Sequence, residues 1–159
     1  MFQHDTMLPH IKLDERNHVE KPLLDQLAGL GWEVLDLDNK QPPAASLRGS
    51  FTDVVMEPVL REQIGRINPW MEPDQIDEVI KQLTASFPGN NLIENNRHLL
   101  GLLLENTSVG ENRQTGEQSP TVRFIDFEAE YCPGQDSANR FIAVCQFKVR
   151  ILGTEHHIV

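Results

Sequence analysis

Two stretches decide the fold of this chain: Phe124-Ile-Asp-Phe127 and Asn139-Arg-Phe-Ile-Ala-Val-Cys-Gln-Phe-Lys-Val149. In the second, Phe141, Ala143, Cys145, Phe147 and Val149 recur at every second position, the period that turns one face of a strand into a core. The spacing predicts a strand over 140–152. The apolar run before it predicts another over 121–128, so that two consecutive strands follow a largely helical first half.

Working back towards the start, Val19, Leu23, Leu24, Leu27 and Leu30 fall at helical spacing and Gly31 is a suitable C-terminal stop, predicting a helix over 15–30. Residues 32–37 alternate as a short strand, and Gln41-Pro-Pro-Ala-Ala-Ser reads as a loop because consecutive prolines forbid regular hydrogen bonding. A second helix is expected over 54–67, with Val55, Val59, Leu60 and Ile64 inward, Pro58 at its start or as a kink, and Asn68-Pro69 ending it. Pro73-Asp74 opens a third helix with a stripe of Ile76, Val79, Ile80 and Leu83, closed by Pro88-Gly89. A fourth, over 91–105, carries Leu92, Leu99, Leu100, Leu103 and Leu104, and residues 110–119 read as an exposed loop. Residues 1–13 have no clear period and are expected to be a loosely held lead-in to one domain over 14–159. Helices first and strands later give an α/β (α+β) class with a mixed sheet.

A chain of 159 residues, 39% of them hydrophobic, can bury one sizeable core, removing roughly 70% of the unfolded chain's surface from water. No stretch approaches the ~18 consecutive apolar residues of a membrane helix, and the start Met1-Phe-Gln-His-Asp has no signal-peptide pattern. A cytoplasmic protein without membrane attachment is expected. In that compartment Cys132 and Cys145, which flank the connection between the two strands, are expected to be reduced although a bridge is geometrically conceivable. Asn106-Thr-Ser matches a glycosylation sequon that means little without secretion. A formal net charge of −10 argues against a self-sufficient nucleic-acid binder, because Lys and Arg supply most non-specific affinity for phosphates. A carboxylate-rich nuclease site stays compatible with it, since bound metal offsets the charge.

The strand residues Ile125-Asp-Phe127, Asn139, Phe141 and Gln146-Phe147, with Glu20 and Gly31-Trp32 upstream, resemble the amino-terminal end of the R subunit of type I restriction enzymes. The resemblance runs from about Leu13 to Val159. Its pieces occur in family order: 20–32 beginning at Glu20, Arg61 to Pro69, Asn96 to Leu104, then the two strands. It implies part of a PD-(D/E)XK nuclease fold. In that class an Asp at one strand end and a Glu-x-Lys on the next hold Mg²⁺ and orient the attacking water, and a spacing of two keeps the acid and the Lys on one strand face. In the family these residues follow the Gln-Phe strand, so the catalytic core is expected beyond Val159. An acidic residue on the first helix can lie near the metal in such folds, and this makes Glu20 the candidate catalytic and metal-site residue.

Other carboxylates invite the same reading and fit it poorly. Asp38-Asn-Lys40 has the spacing but runs into the Pro-Pro loop, Asp74 suits a helix start, and Asp126 and Glu128 share a face whose bland reading is solvation. For Glu20 the bland alternative is a solvated helix carboxylate paired with a nearby base, set against a position beside Val19 and Leu23 where an unpaired charge would be costly. Gln146 is expected to point away from Cys145 and Phe147 and to bond neighbouring backbone. His156-His157 would project to opposite sides of an extended segment, poor geometry for zinc. No Gly-Lys dipeptide occurs, so there is no phosphate-binding loop for ATP here.

Two functional classes stand at this point. One is the opening part of a type I restriction R subunit, whose whole resembles an ATP-dependent translocase and Mg²⁺-dependent endonuclease acting on double-stranded DNA with methyltransferase (M) and specificity (S) subunits, this piece being inactive alone. The other is a non-catalytic protein-interaction module derived from the nuclease fold.

Overall fold

The computed structural model describes residues 14–37, 40–85, 92–105, 107–128, 138–150 and 157–158. The chain opens with a π-helical turn, Arg16–Glu20, which runs directly into α1, Lys21–Gly29. Pro22 sits in the first turn of α1 and has no N–H to return to the preceding turn. That turn widens instead, and the Lys21 N–H bonds the Arg16 carbonyl. After the turn at Gly31 (φ 87°) comes β1, Glu33–Asp36, and a 3₁₀ turn over Pro43–Ser46.

Two helices follow, α2 over Glu57–Ile67 and α3 over Pro73–Thr84. Pro58 starts α2 rather than kinking it. At the start of α3 the Gln75 side chain accepts the Glu72 N–H at 3.1 Å and donates to the Glu111 carbonyl at 2.8 Å, so one buried amide both caps the helix and ties it to the hairpin above. α4 covers Leu92–Glu105, and β2 (Thr107–Ser108) pairs antiparallel with β3 (Thr121–Val122). Residues 113–119 form the exposed hairpin tip that the sequence predicts, with Asn112 buried beneath it.

The core lies between α2, α3 and this hairpin: Ile64, Met71, Val79, Ile80, Val109, Val122 and Phe124 are buried together, with Leu60, Ile76, Leu83 and Leu103 packed against them. The stripe read for the third helix is therefore inward, as are Leu60 and Ile64 of the second, whereas Val55 lies before α2 and Val59 is only half-buried, outside this cluster. The stripes read for the first and fourth are largely not inward. Val19 is 59% exposed, Leu23 53%, Leu30 56%, Leu100 55% and Leu104 55%.

The last strands differ most from expectation. β4, Ile142–Cys145, does not pair with residues 121–128; it lies parallel to β1 in the register Glu33↔Ile142 to Asp36↔Cys145. Trp32 and Phe141 stack at the head of this pair, 5.4 Å apart. The strand expected over 140–152 breaks after Cys145, and a short β5, Val149–Arg150, pairs antiparallel with β6, His157–Ile158. The strand expected over 121–128 ends at Val122, although the alternation of exposure continues through Arg123 and buried Phe124. Its backbone partners are side chains. Asn68 accepts the Arg123 N–H at 2.9 Å and donates to the Arg123 carbonyl at 2.7 Å, and Asn139 does the same for Asp126 at 2.9 and 2.7 Å. A carboxamide presents one donor and one acceptor in the geometry of a peptide group, so it replaces a neighbouring strand for one residue. The described chain is α+β, with parallel and antiparallel pairs.

Candidate functional site

The helix entry and the parallel strand pair meet at the carboxyl ends of β1 and β4. Glu20, half-buried at the end of the π-helical turn, accepts the Gln146 amide N–H on Oε1 at 3.1 Å and the Cys145 thiol on Oε2 at 3.3 Å. Beside them Arg16 pairs with Asp36 at 2.9 Å, and Asp36 is the register partner of Cys145. Turns of this type are frequent at functional sites, and the carboxyl ends of parallel strands are where α/β sheets hold ligands.

The expectation for Gln146 is corrected here. Its side chain goes to Glu20 rather than to neighbouring backbone, and it reaches the same carboxylate as Cys145. The physical reason is local: Gln146 has φ 57°, left-handed backbone that ends the extended alternation and brings adjacent side chains together. For a residue with a Cβ this conformation costs about 1–2 kcal/mol, a strain that concentrates at functional positions.

The setting of Glu20 also differs from its sequence reading. Val19 and Leu23 beside it are exposed, so a buried apolar stripe does not constrain the carboxylate. Its two partners from β4 do. Burial first, and then the hydrogen bond to Glu20, push the Cys145 thiol above its ordinary value of 9.0, which keeps it a protonated donor. Cys145 is a free thiol; Cys132 lies outside the described residues, as do Asp38, Asn39 and His156.

Asp74, Asp126 and Glu128, the other described carboxylates weighed from the sequence, have local structural partners. Asp74 forms a two-pronged pair with Arg113 at 2.9 and 2.6 Å, and that guanidinium holds the Asp74 carboxyl below its usual range. Asp126 accepts the Glu128 N–H at 3.2 Å, and Glu128 faces solvent near Arg123. Arg61 pairs with both Asp77 and Glu57, which raise its pKa further. Arg140 joins Glu33 on β1, at 2.7 Å, to Glu62 on α2, at 3.3 Å.

Magnesium takes about six oxygen ligands in near-octahedral geometry. No group of three or more His, Cys, Asp or Glu side chains gathers among the described residues, and both Glu20 oxygens already accept hydrogen bonds. The described residues do not by themselves fit a Mg²⁺ site. What the arrangement does chemically is hold one carboxylate in fixed orientation at the strand ends.

Sequence reasoning singled out Glu20 and Gln146 separately but not their contact, nor Cys145 as the third member. It missed Asn68, Asn139 and Arg48 as organising residues. Asn139 stands in the quoted signature and was the available signal; Arg48, in a loop without periodicity, had none.

Comparison with known proteins identifies the family. Residues 12–159 match the family described as type I restriction enzyme R protein N terminus. The chain is 35% identical over 138 residues to the type I restriction enzyme HindI endonuclease subunit of Haemophilus influenzae, an alignment covering 84% of this chain and 12% of that protein. The chain thus spans about an eighth of the length of that relative. No solved structure matches it. No described helix is long and apolar enough to cross a membrane. With the matched span including Glu20, both parallel strands and Gln146, the chain belongs to the family of type I restriction enzyme R protein N-termini.

Proposed function

We propose that this chain forms the opening part of the nuclease portion of a type I restriction R subunit, a partial PD-(D/E)XK fold in which Glu20 orients the reaction site. The whole subunit, on this reading, cleaves double-stranded DNA with Mg²⁺, uses ATP for translocation through a site outside these residues, and works with M and S subunits in the cytoplasm. The observation that carries the reading is the placement of Glu20 against Gln146 and Cys145 at the carboxyl ends of β1 and β4, within a span that the family covers.

With both oxygens engaged, Glu20 fits the orienting role better than direct ligation. The net charge of −10 requires that affinity for phosphates come largely from other parts of the complex. The described residues lack the carboxylate set that Mg²⁺ chemistry needs, and on this reading the isolated chain is not expected to cut DNA. A second reading, the non-catalytic docking module, draws support from the exposed Ile93, Leu100 and Leu104 on α4, a pattern typical of interaction surfaces.

The test assembles an R subunit carrying this segment with M and S subunits. Glu20→Gln and Gln146→Ala are expected to lower double-strand cleavage by about 10–100-fold, the usual effect of losing an orienting partner, while ATP hydrolysis continues. Wild-type cleavage by both variants would overturn the orienting role and favour the docking module. Cleavage by the isolated chain that survives Glu20→Ala would overturn both the missing-core argument and the site.

A further inference from the structure

Among the described residues Arg48 is the only buried charged side chain, 3% exposed. A charge in that position is costly unless its hydrogen bonds are met. Here Nε donates to Ser46 Oγ at 2.8 Å, one terminal nitrogen to the Asp53 carbonyl at 2.7 Å, and the other to the Lys148 carbonyl at 2.8 Å. The guanidinium also lies 3.7 Å from the centroid of the Phe147 ring. Two of the hydrogen bonds close the loop that contains Arg48; the third, with the stack, crosses to residues 147–148. A backbone bond from the Arg150 N–H to the Phe51 carbonyl, 2.8 Å long, joins the same two segments.

These contacts stop at Phe147, immediately after Gln146. On the other side, pairing with β1 extends to Cys145 and no further. Gln146, with φ 57°, is therefore the one residue between a stretch fixed by β1 and a stretch fixed by Arg48. Two anchored flanks dictate the dihedral angles of the residue between them. They turn the Gln146 amide onto Glu20.

We infer that Arg48 is a positioning residue for the Glu20–Gln146 pair, acting through Phe147 and the Lys148 carbonyl. A lysine would not reproduce this, because a point charge lacks the planar fork that reaches three acceptors and stacks on a ring. The inference deepens the orienting role proposed for Glu20, and its importance to catalysis rests on that reading. Its own test reads local geometry and needs no nuclease activity.

The reporter is Cys145, whose thiol shares the Glu20 carboxylate with Gln146. Its alkylation by iodoacetamide is followed at one pH in the folded full chain by peptide mass spectrometry, with Cys132 as internal reference. Arg48→Lys is expected to speed Cys145 labelling by about fivefold, the factor that one ordinary hydrogen bond carries, with the Cys132 rate unchanged. Phe147→Leu, which removes only the stack, should act in the same direction and guards against failure of the Arg48 variant to fold.

In a Gln146→Ala background, Arg48→Lys should add nothing. A merely structural staple would instead raise Cys145 labelling by the same factor in either background. That result, or unchanged Cys145 labelling in folded Arg48→Lys and Phe147→Leu chains, would overturn the inference. Wild-type cleavage by the Glu20→Gln subunit with the labelling pattern intact would refute the functional reading alone.

Discussion

Asn139 pairs its side-chain amide with both backbone groups of Asp126, accepting the N–H at 2.9 Å and donating to the carbonyl at 2.7 Å. The contact joins the two signature segments across 13 residues of sequence, standing where a strand-to-strand ladder was expected. Asn139→Ala leaves a part-buried donor and acceptor without these partners. A loss of about 1–3 kcal/mol is expected, read as a lower denaturant midpoint with an unchanged slope. An unaltered midpoint would show that water replaces the amide at no cost.

Asn68 offers a sharper version, because it is 2% exposed and also donates to the Ile64 carbonyl at 2.9 Å. Asn68→Ala should cost about 3 kcal/mol through unmet buried groups. Asn68→Asp should be at least as harmful at neutral pH, since a carboxylate then faces the Ile64 and Arg123 carbonyls. Its deficit should shrink on acidification, when a protonated oxygen can donate again. A pH-independent deficit in thermal melts would count against this geometry.

The Cys145 thiol sits above its ordinary value of 9.0 chiefly through burial and secondly through Glu20. Only the thiolate reacts with alkylating agents, so labelling near pH 8 should lag behind that of a free thiol. Glu20→Gln should bring partial recovery, because the burial remains. The folded state holds this proton more tightly than the unfolded state does. The associated stability is fully present below pH 9.0 and is lost as pH rises through the folded value. A Cys145→Ser chain should lack that alkaline decline in equilibrium unfolding.

The Asp74–Arg113 pair fastens the hairpin tip to the first turn of α3, and Arg113 depresses the Asp74 carboxyl below 3.8. A depressed folded value means stability present above 3.8 and lost as pH falls through the folded value. The pair is solvent-exposed, so its contribution is small and screened. Asp74→Asn should differ from the parent chain at pH 7 in low salt. The difference should vanish once pH has fallen through the folded value, and in ~1 M salt, where the screening length is about 3 Å. A gap that persists in salt would assign the effect to helix capping instead.

Local pattern was a good guide wherever local chemistry decides. Pro58 and Pro73 mark the starts of α2 and α3, and Ile76, Val79, Ile80 and Leu83 form the inward face of α3. Gly31 supplies the left-handed turn after α1. These features depend on dihedral restrictions and side-chain period within one element, and such information is carried by neighbouring residues. Stripes on α1 and α4 were equally periodic, yet Leu23 and Leu100 face outward. Periodicity reports that a face is apolar and says nothing of what covers it.

By itself the sequence determined the α+β class and most helix boundaries, since each follows from residue type and short-range spacing; the family came from a resemblance over the whole chain, and the candidacy of Glu20 was implied by that resemblance. Only the tertiary structure decided that β4 lies beside β1, more than 100 residues away, and that Gln146 and Cys145 share the Glu20 carboxylate. It alone showed side-chain amides of Asn68 and Asn139 replacing a strand. The reason is that hydrogen-bond partners across a fold are chosen by global packing, while a strand's alternation is the same whichever neighbour it finds. A left-handed residue such as Gln146 leaves no mark in a period-two pattern until both of its flanks are anchored.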